Sequence, residues 1–178
     1  HALFDYYDIA VVKTGMLVDA EHVAVVSVLL EQLHDGLLVV DPVMISSSGK
    51  TLLDKGGVDA LKHALLPLAS LMTPNLDEAS VLLGEAVNSP VDAAKNLAEK
   101  FHCAVLLKGG HGAGDELLDV LCDQEGEISE FSHARQPWST DQSHGTGCRL
   151  ASAVVDRLAL GDPLVMAVKT SSSFLQGD

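Results

Sequence analysis

The chain contains few basic residues. Against 25 Asp and Glu it has only 11 Lys and Arg, so its 178 residues carry a formal net charge of −14 at pH 7. Nucleic-acid backbones and anionic membrane surfaces are bound by basic faces, and this charge balance therefore predicts no nucleic-acid partner. Any site for a phosphate-bearing ligand must be a local feature of the surface.

Long hydrophobic runs and paired cysteines are also missing. Fully apolar stretches such as residues 23–26 and 37–40 are far shorter than the roughly 20 residues of a membrane span. No cleavable signal pattern is recognisable at the start of the sequence. The three cysteines show no Cys-x-x-Cys spacing and fit a reducing compartment better than a disulfide framework. We therefore expect a soluble, cytoplasmic protein without a membrane partner.

The eight histidines do not form a metal-binding pattern. No His-x-x-x-His pair is present, and His111 and His144 lie in glycine-rich stretches, which argues against a histidine-based metal enzyme. Internal repeats, linkers and low-complexity tracts are absent too. A chain of this length can bury a substantial core, so residues 1–178 are predicted to form a single domain.

Short apolar runs alternate with stretches of helical periodicity along the chain. Strands are predicted at residues 9–12, 37–40, 68–73 and 103–107, and a hairpin at 117–122 and 127–131. Helices are predicted at residues 20–34, 57–66, 76–83 and 90–101, after Gly147 and from about Pro163. Strands separated by helices are typical of an α/β fold whose mostly parallel central sheet is covered by helices on both faces.

Polar residues directly follow four of the predicted strands. They are Lys13-Thr14-Gly15, Asp41-Pro42, Thr73-Pro74-Asn75 and Lys108-Gly109-Gly110. In a parallel sheet these segments share the carboxyl edge, where open α/β sheets bind their ligands. Acids, an amide and a cation at one edge are the groups that magnesium-nucleotide chemistry uses.

The segment Gly145-Thr146-Gly147-Cys148 precedes another apolar-periodic run. Glycines at a helix start let backbone N–H groups converge on an anion such as phosphate. The positive end of the helix dipole would lower the pKa of Cys148 and favour a thiolate that acts as base or nucleophile. The alternative is an ordinary glycine-rich loop before a buried helix, with Cys148 as a small core residue.

Six motifs together resemble one family. Val12-Lys13-Thr14-Gly15-Met16-Leu17, Asp41-Pro42-Val43-Met44, Leu52-Leu53-Asp54, Thr73-Pro74-Asn75-Leu76-Asp77-Glu78-Ala79, Lys108-Gly109-Gly110-His111 and His144-Gly145-Thr146-Gly147-Cys148 follow the order and approximate spacing of the hydroxymethylpyrimidine/phosphomethylpyrimidine kinases. The resemblance implies a ribokinase-like fold with ATP and Mg²⁺ as co-substrates. It also implies phosphorylation of 4-amino-5-hydroxymethyl-2-methylpyrimidine and its monophosphate in thiamin biosynthesis. The sequence leaves open whether two copies of the chain form a homodimer.

The resemblance also assigns roles on the nucleotide side. Asn75 and Glu78 resemble a magnesium and phosphate motif, and their spacing at a helix start puts both on one face. Asp41 resembles an acid that helps hold the metal through water. Lys108 resembles the cation that reaches the nucleotide phosphates. Gly110, two residues later, is predicted to contact the nucleotide as well. The structural alternatives are a helix cap at Asn75, a cap before Pro42 and a solvated lysine.

Further roles concern the reacting groups. Cys148 is similar to the position of the catalytic base, and Gly145, Thr146 and Gly147 would form the anion hole for the migrating phosphoryl group. Met16 and Val43 resemble residues that line the pyrimidine, although packing in the core would explain both nearly as well.

Departures from the family leave other functions open. Arg149 stands where the family usually has threonine, and it would either contact a phosphate or extend into solvent. The family's amino-terminal, substrate-binding segment is not found upstream of Lys13, and the chain ends near the family's last helices. A pyridoxal or pyridoxine kinase and a non-catalytic relative that keeps the fold are therefore the alternative functions.

Overall fold

A six-stranded sheet organises the part of the chain that the structure describes. The computed structural model describes residues 2–46, 49–109, 116–134 and 145–176. The strands are β1 Val11–Thr14, β2 Leu37–Val40, β3 Leu71–Met72, β4 Ala104–Leu107, β5 Glu116–Cys122 and β6 Ile128–Ala134, and their order across the sheet is their order in the sequence. Strands β1 to β4 are parallel to one another, and β5 is antiparallel to both of its neighbours, β4 and β6. The mostly parallel α/β sheet and its final hairpin confirm the sequence prediction.

Helices connect and cover the strands. They are α1 Ala2–Tyr6, α2 Ala20–Leu33, α3 Lys55–Ala60, α4 Leu76–Leu83, α5 Pro90–Phe101, α6 Thr146–Ala159 and α7 Leu164–Gln176. Helix α3 continues into a widened turn at Leu61–Leu65 and a tight turn at Leu66–Leu68. None of the helices in the described ranges combines the length and the apolar character needed to cross a membrane.

The two faces of the sheet have separate cores. Side chains alternate along each strand, so Val40 and Met72 pack toward α2, α4 and α5, while Val39 and Leu71 pack toward α6 and α7. Burial on both faces explains why β2, β3 and β4 consist of continuous apolar residues. The helices therefore hold the sheet from both sides and leave its carboxyl edge for the polar segments.

Side-chain caps set the helix starts that the sequence predicts correctly. Asp19 accepts a hydrogen bond from the His22 N–H at 3.0 Å at the start of α2, and Ser89 accepts one from Asp92 at 3.3 Å at the start of α5. Helix α4 ends at Gly84, whose φ of 84° is costly for residues with a Cβ. Local capping chemistry thus determines these boundaries.

Several boundaries differ from the prediction, and three of the differences have a clear structural cause. Strand β1 lies two residues later because Lys13 and Thr14 pair with β2 despite being polar. Helix α3 begins earlier because Asp54 caps it by accepting the Gly57 N–H at 2.6 Å. Strand β3 is shorter because the preceding segment forms the tight turn that contains Pro67.

Candidate active site

The polar segments after β1 to β4 lie side by side. The Asp41 N–H donates to the Thr14 carbonyl at 3.1 Å, and the Lys108 N–H donates to the Pro74 carbonyl at 2.8 Å. Asn75 and Lys108 form a further parallel bridge beyond the ends of β3 and β4. The segments therefore share the carboxyl edge of the sheet, as the sequence predicted, and hydrogen bonds connect neighbouring segments there.

A buried ion pair joins two of these segments. The Nζ of Lys108 lies 3.0 Å from Oδ1 of Asp41, whose exposed fraction is 1%. The Thr73 hydroxyl donates to the same oxygen at 3.1 Å. Oδ2 of Asp41 is buried and has no hydrogen-bond partner among the described residues. An unsatisfied buried carboxylate oxygen is costly, which indicates that a donor or a cation belongs there.

Glu78 adds a second carboxylate to this edge. It is 5% exposed at the start of α4, and burial raises its pKa, while the nearby Lys108 charge opposes that shift. The negative charge of Asp41 also raises the pKa of Glu78. Two carboxylates around one lysine therefore form a compact electrostatic cluster.

The donor set fits Mg²⁺. This ion prefers oxygen ligands and is usually held by one or two carboxylates together with water and substrate phosphates. No group of three His, Cys, Asp or Glu that could hold a metal alone occurs in the described ranges. Asp41, through its unpartnered oxygen, and Glu78 would hold the ion jointly with a nucleotide.

Asn75 and Glu78 also cap α4. The Asn75 side-chain oxygen accepts the Glu78 N–H at 2.8 Å, and Oε2 of Glu78 accepts the Asn75 N–H at 2.8 Å. This reciprocal capping box shows that the helix-cap interpretation is correct. It leaves a ligand role open as well, because a phosphate contact would fall to the NH₂ group of Asn75.

The start of α6 closes the site over Lys108. Gly145 precedes the helix with a φ of 79°, and a Cβ on Gly147 would lie 3.0 Å from Lys108 Nζ. Glycine at 147 therefore lets the ammonium group approach the first turn closely. A cation beside the positive end of a helix is favourable only with anions nearby, which Asp41 and a bound phosphate would provide.

Cys148 is the third residue of α6 and is exposed to solvent. Partial burial of the thiol raises its pKa, as does the Asp41 carboxylate, while Lys13 and Lys108 oppose the shift. The predicted lowering of this pKa is therefore wrong, since desolvation and the neighbouring Asp41 carboxylate raise it. The interpretation of Cys148 as a core residue is also wrong, because the residue is exposed.

We expect iodoacetamide to label Cys148 and to spare Cys103 and Cys122 in the folded protein. Cys103 and Cys122 are 1% exposed, and burial raises the pKa of Cys103 to about 12. The labelling rate of Cys148 should rise about tenfold per pH unit between about pH 7 and about pH 9, because only the thiolate reacts. Mass spectrometry of the labelled peptides measures both. A rate independent of pH, or faster labelling of Cys103, would contradict this expectation.

A cavity of about 640 Å³ opens beside Cys148 between α6 and α7. Ser152, Phe174 and Leu175 contribute to its lining, next to Arg149. This volume is within the range of small-molecule sites. The cavity adjoins the helix start, so one ligand could occupy both.

The predicted pyrimidine-lining residues lie at the same edge. Met16 follows β1 and is about half exposed, and Val43 follows β2 in a tight turn where its N–H donates to the Asp41 carbonyl at 2.8 Å. Their role remains a prediction. Gly110, predicted to contact the nucleotide, lies outside the described residues.

Two members of the cluster were missed as site residues in the sequence. The positive charge of Lys13 lowers the pKa of the Cys148 thiol, and the Thr73 hydroxyl donates a hydrogen bond to Asp41. Their signal was their place at the ends of β1 and β3, because polar residues there must lie on the ligand-binding edge.

Comparison with known proteins places the chain in a family. The phosphomethylpyrimidine kinase profile matches residues 1–178. The chain belongs to the phosphomethylpyrimidine kinase family. It is 38% identical over 178 residues to the thiamine biosynthesis bifunctional protein of Geobacter sulfurreducens, covering 98% of this chain and 36% of that protein. It is 38% identical over 175 residues to the hydroxymethylpyrimidine/phosphomethylpyrimidine kinase of Haemophilus influenzae, covering 95% and 64%. The chain thus spans between about a third and about two thirds of these two relatives.

Solved structures of kinases share the fold. The phosphomethylpyrimidine kinase of Clostridium difficile matches with a TM-score of 0.80 at 32% identity, covering 99% of this chain and 71% of that chain. The pyridoxal kinase of Staphylococcus aureus, in complex with pyridoxal, also matches with a TM-score of 0.80, at 29% identity, covering 94% and 60%. Another structure of the latter enzyme contains ADP. These matches confirm the ribokinase-like α/β fold.

Proposed function

We propose that the protein transfers the terminal phosphoryl group of ATP to the hydroxymethyl group of 4-amino-5-hydroxymethyl-2-methylpyrimidine, and then to its monophosphate, in thiamin biosynthesis. The observation that carries this proposal is the meeting of the Lys108–Asp41 pair with the start of α6 and Cys148. Family membership supports it. Phosphoryl transfer needs mainly positioning and charge neutralisation, which this cluster offers.

The nucleotide would lie along the carboxyl edge. Lys108 and the backbone of Gly145, Thr146 and Gly147 would contact its phosphates, and the adjoining cavity would take the nucleoside. Asp41 and Glu78 would hold Mg²⁺ against the same phosphates. When bound, this ion neutralises charge on the transferring group.

Cys148 would accept the hydroxyl proton. The substrate oxygen attacks the terminal phosphorus, the bond to the ADP oxygen breaks, and the proton passes to the Cys148 sulfur. Since the pKa of this thiol is raised, the thiolate is the minor form at neutral pH. Lys13 and Lys108 partly offset this shift and would stabilise the thiolate. Met16 and Val43 would then border the aromatic ring.

Pyridoxal is the second candidate substrate. The Staphylococcus aureus pyridoxal kinase matches this chain with the same TM-score of 0.80 as the Clostridium difficile phosphomethylpyrimidine kinase. Both compounds present a hydroxymethyl group on a nitrogen-containing ring. Coupled detection of ADP, with each compound in turn, distinguishes the two functions. Faster turnover of pyridoxal than of the pyrimidine would identify pyridoxal as the substrate. Nucleotide binding without turnover of either compound would favour the non-catalytic alternative.

We expect the Lys108→Ala variant to bind MgADP roughly tenfold to a hundredfold more weakly than the unmodified chain, the usual effect of losing a charge-assisted contact. Calorimetry with and without Mg²⁺ measures this. Lys95→Ala is the matched control, because Lys95 is exposed on α5 and borders the cavity beside His102 rather than the site. A folded chain that does not bind MgADP would count against the kinase proposal.

A further inference from the structure

One buried carboxylate lies outside the proposed chemistry. Asp119 is on β5 and is 4% exposed, in a strand that is otherwise largely apolar. Its Oδ1 accepts the Gly109 N–H at 2.8 Å, and its Oδ2 lies 3.3 Å from Nε2 of His133 on β6. A buried carboxylate is expensive unless it is paired and hydrogen-bonded, and here each oxygen has a partner. The position therefore needs an explanation in terms of what Asp119 holds.

What Asp119 holds is the backbone next to Lys108. Gly109 lies so close to β5 that a Cβ there would be 2.1 Å from the Leu118 carbonyl oxygen. This contact brings the Gly109 amide within reach of the Asp119 carboxylate. On the other side, the Lys108 N–H is bonded to the Pro74 carbonyl at 2.8 Å. The segment that carries Lys108 is thus fixed from both neighbouring strands.

We propose that Asp119 is a positioning residue, which anchors the Gly109 amide and thereby fixes the backbone from which Lys108 reaches Asp41 and the phosphate site. The contribution to ligand binding rests on the proposed function, whereas the anchoring does not. Asp119 acts through Lys108 and lies in the hairpin. A hydrogen bond to a charged acceptor is stronger than a neutral one, which suits a residue that must fix a backbone at a ligand site.

His133 completes the arrangement. It pairs diagonally with Asp119, since β6 places His133 opposite Leu117 and Phe131 opposite Asp119. The hydrogen bond to Asp119 raises the pKa of His133. The imidazole therefore supplies a donor to the carboxylate oxygen that Gly109 does not use and reduces the cost of burying the charge.

Amide hydrogen exchange followed by NMR tests the anchoring. In Asp119→Ala the Gly109 amide should exchange at least about tenfold faster, the usual value of a hydrogen bond to a charged group. Asp119→Asn keeps an acceptor for Gly109 and should restore slow exchange. It should also return the pKa of His133 toward its ordinary value. Glu130→Gln is the matched control, because Glu130 is an exposed carboxylate of the same hairpin. Unchanged Gly109 exchange in folded Asp119→Ala would overturn the inference.

Calorimetry with MgADP on the same variants tests the consequence for binding. We expect affinity to fall about tenfold in Asp119→Ala and to remain within about threefold in Asp119→Asn, because a displaced Lys108 no longer meets the phosphates. Full affinity in Asp119→Ala, despite fast Gly109 exchange, would overturn the positioning role. If the unmodified chain did not bind MgADP, the proposed function would fail, and the exchange measurement alone would then decide the anchoring. Should Asp119→Ala not fold, Asp119→Leu removes the same acceptor, and slow Gly109 exchange in folded Asp119→Leu would refute the inference.

Discussion

Replacement of Cys148 by alanine should lower kcat by roughly 10²–10⁴-fold, the usual contribution of a positioned base. MgADP affinity should be retained, because the phosphates are expected to contact Lys108 and the helix backbone rather than the thiol. Alanine keeps the first turn of α6, where Cys148 is exposed, so stability should change little. Steady-state kinetics and calorimetry on the same preparation separate these two effects.

The pH dependence makes this prediction sharper. Because the pKa of Cys148 is raised, the thiolate fraction and hence kcat should increase about tenfold per unit between about pH 6 and about pH 8. Cys148→Ala should lose this slope. Cys148→Asp, with a base that is ionised at lower pH, should lose it too while keeping more activity. An alanine variant with full activity would show that Cys148 has no part in the reaction.

Glu78→Gln should abolish most turnover, with a loss of roughly 10²-fold or more, while leaving the folded state as stable as before. The glutamine oxygen can still accept the Asn75 N–H and preserve the capping box. Burial raises the pKa of Glu78, so its charged form is the costly one at neutral pH, and an uncharged isostere gives up little stability. Activity and thermal unfolding are measured together.

Asp77→Asn is the control for this experiment. Asp77 neighbours Glu78 on α4 but is exposed. It should retain both activity and stability. If Glu78→Gln instead lost several kcal/mol of unfolding free energy while keeping its activity per folded molecule, Glu78 would be a purely structural capping residue.

Local chemistry made much of the fold predictable. Asp19, Asn75 and Ser89 mark helix starts by bonding N–H groups within three residues of themselves, and such contacts can be recognised in a sequence. The end of β1 was not predictable in this way. Lys13 and Thr14 are polar and extend the strand because β2 lies beside them, which is a tertiary effect.

The site was predictable in place but not in its electrostatics. Strand ends placed Asp41 and Lys108 on one edge of the sheet, and the structure brings them within 3.0 Å of each other. The thiol of Cys148 was judged from its own helix alone. Its pKa depends on burial and on Asp41, which precedes it by more than a hundred residues. Asp119 was missed for the same reason, since its partners Gly109 and His133 become neighbours only through the hairpin.

The order of the strands has a consequence for synthesis on the ribosome. Because each strand lies beside the one made just before it, the sheet can grow in one direction as the chain emerges, and each new strand finds its template already in place. Lys108 can meet Asp41 once β4 has docked, but the turn that we propose binds the phosphates arrives only with α6. A nascent chain should therefore complete the core on one face of the sheet first, and α6 and α7 should then add both the second core and the helix start that the proposed nucleotide site requires.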